Sequence, residues 1–175
     1  FHTRYRSKVG CVAHLAVCTR VDLAFIAVCA ARRLNDPVPE CEAYIDEALQ
    51  YVFSTAEDKL IFNCSQDLGS TLVISSDASL ADAPDGRSTG GWVSQCGGAA
   101  WSWGVDAIKQ QVLSSSEAEY VTCSSACKEV VAQKKLLQAF RLDFPDQYLV
   151  LVDSMPAVAL ACGPAAHHQR TKHIE

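Results

Sequence analysis

The chain has 175 residues, of which 49% are hydrophobic and 20% are charged, a composition that supports a packed core and excludes extensive disorder. Its net charge is −5, from 15 basic and 20 acidic residues, so the chain as a whole is a poor generic binder of nucleic-acid phosphates. Any function on nucleic acid must therefore depend on a local basic patch or on metal ions.

The start of the chain has neither the pattern of a membrane span nor that of a secretory signal. No charge-free stretch there approaches the ~20 residues that a transmembrane helix needs. Arg4, Arg6 and Lys8 lead into a stretch that His14 and Arg20 interrupt, unlike the apolar core of a signal peptide. We therefore expect no membrane segment and an intracellular location, cytoplasmic or nuclear, without secretion.

The nine cysteines show no Cys-x-x-Cys spacing, and the five histidines do not complete the pattern of a zinc site. The closest pair, Cys123 and Cys127, is about one helical turn apart. We therefore expect buried free thiols in a reducing compartment.

The first 62 residues are predicted to be helical. Apolar residues recur at helical spacing in Val9–Val17 and in Leu23–Ala31. A third run, Ala43–Val52, follows Pro37 and Pro39, which suit the start of a helix.

Beyond residue 65 the pattern becomes that of an α/β domain. The predicted elements are strands at Thr71–Ile74, Trp92–Cys96 and Ala100–Trp103, a helix at Ser114–Phe140, a strand at Tyr148–Val152 and a helix at Met155–Cys162. Ala81–Gly91 is predicted to be a turn-rich loop and Gly97-Gly98 a hairpin turn. The continuous apolar run of the last strand indicates coverage on both faces.

This order of elements predicts an α/β fold with a mixed sheet, at least one parallel strand pair and flanking helices. A small helical segment precedes it. We place the two parts at residues 1–65 and 66–175.

Asp77 and Asp153 each follow the apolar residues of a predicted strand, at the end of the sheet where sites assemble in open α/β folds. Two carboxylates about 4 Å apart repel by roughly 4 kcal/mol at an effective dielectric constant near 20. Such a pair needs a shared proton or a cation, and oxygen ligands favour Mg²⁺, Mn²⁺ or Ca²⁺. The sequence therefore suggests a divalent-metal site.

A third carboxylate is expected from the long helix, where Glu117 and Glu119 compete. Helical steps from Glu119 follow an apolar stripe that faces the sheet, whereas steps from Glu117 drift to the solvent face. We therefore assign Glu119 to the site and Glu117 to a capping box with Ser114. In the alternative interpretation the acids are only caps, Asp153 for the next helix and Glu119 for its own.

Motifs along the chain resemble the Pol polyprotein of copia-type long-terminal-repeat retrotransposons. Two blocks resemble the end of its reverse transcriptase: Tyr5-Arg6-Ser7-x-Val9-Gly10 and Thr19-Arg20-x-Asp22-x-Ala24-Phe25. Five resemble the ribonuclease H domain that follows: Ser76-Asp77-Ala78, Arg87-Ser88-Thr89-x-Gly91, Ser102-Trp103, Leu113-Ser114-Ser115-x-Glu117-Ala118-Glu119-Tyr120 and His168-x-Arg170-Thr171-Lys172-His173-Ile174. The blocks keep their order and spacing over nearly the whole chain.

The resemblance implies a thumb- or connection-like tail of the reverse transcriptase at 1–65 and a ribonuclease H-like fold at 66–175. The implied activity is hydrolysis of the RNA strand of RNA–DNA hybrids with two Mg²⁺ (or Mn²⁺) ions. It assigns catalysis and metal binding to Asp77, Glu119 and Asp153. The nucleic-acid contacts it suggests are Arg87, Ser88, Arg170 and Lys172. The remaining Pol segments, polymerase and integrase, are the expected partners.

In the family the pattern continues past the position of Glu175 into a further helix, strand and acid, so we expect the domain to lack its last strand and helix. This expectation keeps two other functions open. One is a catalytically inactive retroelement remnant that folds or binds nucleic acid without hydrolysis. The other is a different divalent-metal hydrolase on the same sheet.

Overall fold

The structure is a computed structural model that describes residues 1–63, 72–83, 86–141 and 148–163. The chain divides into two compact units, Phe1–Leu60 and Ile61–Glu175. Within the described residues, no helix combines the length and the apolar character needed to cross a membrane.

The first unit consists of three helices, as the apolar periodicity predicts. They are α1 (His2–Cys18), α2 (Ala24–Ala31) and α3 (Pro39–Ser54), with one turn of 3₁₀ helix at Val21–Leu23. Helix α1 begins earlier than expected because Tyr5 extends its buried stripe, and the Tyr5 hydroxyl donates a hydrogen bond of 2.9 Å to the carbonyl of Ala30. Tyr5, Leu23 and Ile45 are fully buried in the core of this unit.

Arg20 and Asp22, which belong to a reverse-transcriptase-like block of the sequence, have a structural role in the first unit. The Arg20 guanidinium lies 2.7 Å from an Asp22 carboxylate oxygen and donates a 2.6 Å hydrogen bond to the Thr55 hydroxyl. The guanidinium holds the pKa of Asp22 below its ordinary value, while partial burial opposes this shift. The pair therefore links the start of α2 to the end of α3.

The second unit contains a four-stranded mixed sheet. Its strands are β1 (Leu72–Ser79), β2 (Thr89–Cys96), β3 (Ala99–Ala107) and β4 (Tyr148–Val152), arranged in the order β3-β2-β1-β4. The pairs β1–β2 and β2–β3 are antiparallel, whereas β1 and β4 are parallel. The predicted parallel pair is thus confirmed, and Gly97 and Gly98 form the β2–β3 turn with positive φ angles, which glycine adopts without strain.

Helix α4 (Ser115–Ala139) packs along one face of the sheet, and α5 (Met155–Cys162) follows β4. The first half of the predicted capping box is present, because the Ser114 hydroxyl accepts the Glu117 N–H at 3.3 Å. The Glu117 carboxylate accepts the N–H of Leu113, the residue before the N-cap, at 2.7 Å. Buried polar bonds also join the helix to the sheet, for example from Ser94 to Gln133 at 3.0 Å.

Three predictions about these elements are wrong. Strand β4 is not covered on both faces: Leu149 and Leu151 are 47% and 45% exposed, because α4 packs on one face and β4 lies at the edge of the described sheet. The end of the predicted loop, Thr89–Gly91, belongs to β2. Of the eight cysteines that the structure describes, all free thiols, only Cys123 is buried.

Candidate metal centre

The parallel pairing of β1 with β4 brings Asp77 and Asp153 next to each other. The last aligned residues of the two strands are Ser76 and Val152, and each aspartate is the next residue along its chain. Neighbouring strands lie about 4.8 Å apart, so the two carboxylates start from adjacent positions. Both side chains are exposed; Asp77 lies two residues before the end of β1, and Asp153 directly follows β4.

Glu119 supplies the third carboxylate from the beginning of α4. Its side chain is only 6% exposed, and one carboxylate oxygen, Oε1, accepts the backbone N–H of Ala78 at 3.2 Å. Asp77, Glu119 and Asp153 each offer an oxygen atom, and these atoms lie within 4.8 Å of one another. The structure therefore brings together the three acids that the sequence singles out.

Glu119 is a buried acid that lies beside two other carboxylates. Burial, which is the largest cause, and the neighbouring Asp153 and Asp77 carboxylates together raise its pKa to about 7, whereas the Ala78 N–H opposes the shift. The second carboxylate oxygen, Oε2, is buried and has no hydrogen-bond partner among the described residues. A buried carboxylate oxygen of this kind is costly unless a proton or a cation satisfies it.

Capping does not explain these acids. Ser154, not Asp153, is the N-cap of α5, and its hydroxyl accepts the Ala157 N–H at 3.3 Å. Glu117 takes part in capping α4, while Glu119 bonds to Ala78 of β1, on the sheet. The alternative interpretation of Asp153 and Glu119 as caps is therefore wrong.

The donor set fits a hard divalent cation. The oxygen atoms of three carboxylates converge here, and one of these carboxylates, Glu119, has a buried oxygen with no hydrogen-bond partner among the described residues. Carboxylate oxygens are the ligands that Mg²⁺ and Mn²⁺ prefer. Asp77 and Asp153 face solvent, so such an ion would be open to a substrate.

The proposed nucleic-acid contacts have different placements. Arg87 is exposed, whereas Ser88 is 3% exposed and its hydroxyl accepts the Ala81 N–H at 3.0 Å, which shapes the loop before β2. Arg170 and Lys172 lie outside the described residues.

The sequence does not predict the close contact between α4 and the sheet. A Cβ atom at Gly90 would lie 2.2 Å from Oγ1 of Thr122, so only glycine lets the helix approach β2 this closely. Thr122 is three residues beyond Glu119, and this contact therefore also positions the buried acid. The Gly90-Gly91 pair was a signal for it, but the pair is equally typical of a turn.

The fold and the carboxylate cluster define an α/β domain with a candidate metal centre, and comparison with known proteins shows which proteins the chain is similar to. The chain is 34% identical over 172 residues to the retrovirus-related Pol polyprotein from transposon TNT 1-94 of Nicotiana tabacum, covering 98% of this chain and 13% of that protein. It is 28% identical over 173 residues to the corresponding polyprotein from transposon RE2 of Arabidopsis thaliana, covering 98% and 12%. It is also 34% identical over 128 residues to secreted RxLR effector protein 161 of Plasmopara viticola, covering 73% and 89%.

The chain is therefore similar to one segment of the retrovirus-related Pol polyproteins of plant transposons, which supports a fragment of a retrotransposon Pol polyprotein. It spans 13% and 12% of the length of the tobacco and RE2 polyproteins. No protein-family model matches the chain, and no solved structure does.

Proposed function

We propose that the second unit is a ribonuclease H-like domain that hydrolyses the RNA strand of RNA–DNA hybrids with Mg²⁺ or Mn²⁺. The observation that carries the proposal is the convergence of Asp77, Glu119 and Asp153 within 4.8 Å, with a buried, unpartnered oxygen on Glu119. The ribonuclease H-like motifs around these acids and the homology to transposon Pol polyproteins support the choice of substrate.

The three acids have different tasks in this proposal. Glu119 is held by α4 and by the Ala78 N–H, so it provides a fixed ligand at the base of the site. Asp77 and Asp153 stand at the exposed rim, where they would share the ions with a scissile phosphate. Two divalent ions held by such acids stabilise both the attacking and the leaving oxygens of a phosphodiester.

The helical first unit corresponds in this proposal to the C-terminal tail of the reverse transcriptase. The homology covers both units, and in the Pol relatives the matching segment is part of a much longer polyprotein. We therefore propose that polymerase and integrase segments of the same polyprotein are its partners.

The test is hydrolysis of an RNA–DNA hybrid labelled on its RNA strand, with matched RNA duplex and DNA duplex as other substrates. We expect nicks in the RNA strand of the hybrid with Mg²⁺ or Mn²⁺, and none in EDTA. Asp77→Asn should abolish cleavage because it removes one charged ligand. Glu57→Gln changes the net charge equally at an exposed position of the first unit and should cleave normally.

Each other outcome excludes a specific part of the proposal. Equal cleavage of all three duplexes would identify a different metal-dependent nuclease. Failure to cleave by this chain and by a longer Pol segment that contains it, together with Mg²⁺-dependent stabilisation, would identify a binding remnant without hydrolysis.

A further inference from the structure

A second feature lies at the same end of the strands as the carboxylate cluster. It is a cavity of about 390 Å³ between β2, the end of β3 and the first half of α4. None of the three clustered acids lines it. Its wall on α4 includes Tyr120, Ser124 and Lys128, which recur every four residues and therefore share one face of the helix. This face differs from the one that presents Glu119 to the sheet.

The residues that line the cavity carry a net positive charge, whereas the chain as a whole is negative. Lys109 and Lys128 contribute two exposed ammonium groups, Asp106 contributes one carboxylate, and the lining has a net charge of about +1 against −5 for the chain. Neither lysine forms an ion pair with another residue in the part of the chain that the structure describes. The lining therefore offers ammonium groups to an anion from outside.

An indole group forms part of the opposite wall. Trp92 pairs with Gly104 of β3, and a Cβ atom at Gly104 would lie only 2.9 Å from the indole ring. The absence of a side chain at Gly104 therefore leaves room for the ring against β3. An apolar ring beside two ammonium groups suits a sugar that is linked to phosphates.

The cavity and the carboxylates are close enough to contact one strand. Asp77 of β1 pairs with Gly91 of β2, and the residues on either side of Gly91, Gly90 and Trp92, line the cavity. Neighbouring strands lie about 4.8 Å apart, so the cavity begins one strand away from the cluster and a single nucleic-acid strand is long enough to contact both.

We propose that this cavity binds the sugar–phosphate backbone of the nucleic acid next to the carboxylate cluster. Lys109 and Lys128 contact phosphate oxygens, the Ser124 hydroxyl donates a hydrogen bond, and Trp92 contacts a sugar. The inference takes the identity of its ligand from the proposed function, but it requires neither metal binding nor hydrolysis. Contacts of this kind provide affinity and register without reading the base sequence.

The test is the affinity of the full chain for a fluorescein-labelled RNA–DNA hybrid, measured by anisotropy in EDTA across a salt series. The double variant Lys109→Gln/Lys128→Gln should bind about tenfold more weakly, because at least one charge-assisted contact is lost. The slope of log affinity against log salt should decrease by about 2, one for each phosphate contact.

The control is Lys134→Gln/Lys135→Gln. These two lysines lie on the same helix, are exposed, and do not line the cavity, and the variant changes the net charge equally. Its affinity and salt slope should stay close to those of the unmodified chain. Equal losses in the two double variants would overturn the proposal, since only the general charge would then matter.

Thermal melting verifies that each variant is folded. If the double variant is unfolded, the single variants Lys109→Gln and Lys128→Gln provide the same comparison. Because all measurements are made in EDTA, this result is separate from that of the cleavage assay. A chain that distinguishes the two lysine pairs but never cuts the hybrid would support the cavity and contradict hydrolysis.

Discussion

Among the residues that the structure describes, Glu119 is the acid at which protonation would compete with a bound metal ion. Its carboxyl group is buried and faces two other carboxylates, and these causes raise its pKa from 4.5 to about 7. An ion in the site would remove this cost, because it supplies the positive charge that Oε2 lacks. Below pH 7 a proton competes with that ion for the carboxylate.

The raised pKa predicts how stability depends on pH in the absence of metal. The folded chain holds the Glu119 proton more tightly than the unfolded chain does, so the free energy of unfolding falls as pH rises from about 4.5 to about 7. The loss by pH 8 should be about 3 kcal/mol, since the pKa rises by about 2.5 units and one unit is worth about 1.4 kcal/mol. Urea unfolding in EDTA at several pH values measures it.

Glu119→Gln should flatten this dependence, because a neutral amide has no proton to lose in this range. It should also abolish the stabilisation that Mg²⁺ gives the folded chain, which rises as RT ln(1 + [Mg²⁺]/Kd). Glu57→Gln, at an exposed position, should keep both effects. A Glu119→Gln profile that falls as steeply as that of the unmodified chain would assign the pH dependence to other groups.

At the level of elements, the site depends on how closely α4 approaches β2. The Gly90–Thr122 contact leaves no room for a methyl group, and Glu119 lies one turn from Thr122 on the same helix. A displacement of α4 at this contact should therefore move the buried acid away from Asp77 and Asp153.

Gly90→Ala should reduce the free energy of unfolding by about 1 to 3 kcal/mol, as overpacking of a buried contact does, and should weaken Mg²⁺-dependent stabilisation. Gly10→Ala is the control, because no atom lies within 4 Å of a Cβ atom there and alanine favours the helix. Adding Thr122→Ala to Gly90→Ala removes the 2.2 Å contact and leaves one of 3.1 Å. The double variant should therefore lose less than the sum of the single losses, and strict additivity would contradict the contact.

The sequence predicts those elements whose determinants are local. The buried stripe of α1, the Ser114–Glu117 cap and the Gly97-Gly98 turn are all encoded within a few residues, and the structure contains each of them. The inward orientation of Glu119 follows from helical periodicity in the same way.

What the sequence does not predict depends on contacts between distant segments. The apolar run of β4 has the same composition whether one face or both are covered, so the exposure of Leu149 and Leu151 cannot be read from it. Gly90 belongs to a strand because it pairs with Ala78 and Asp106, and its close contact with Thr122 likewise joins distant segments of the chain. The cavity beside Trp92 likewise depends on the pairing with Gly104.

For the whole molecule, the main electrostatic difficulty is that an acidic chain is proposed to bind a polyanion. The net charge is −5, and three of the acidic groups converge where the scissile phosphate would lie. Without divalent ions these carboxylates repel the hybrid, whereas with Mg²⁺ bound they hold positive charge that attracts it. Their effect on affinity should therefore change sign with the metal.

Asp77→Asn/Asp153→Asn should consequently bind the hybrid more tightly than the unmodified chain in EDTA and more weakly in Mg²⁺. Anisotropy with a hybrid whose RNA strand carries non-hydrolysable linkages measures both affinities without cleavage. Glu57→Gln/Asp58→Asn makes the same change in net charge at exposed positions of the first unit and should show no crossover. If the site variant binds more tightly under both conditions, the acids only repel nucleic acid and do not bind the ions, because a metal site must reverse the sign of their contribution.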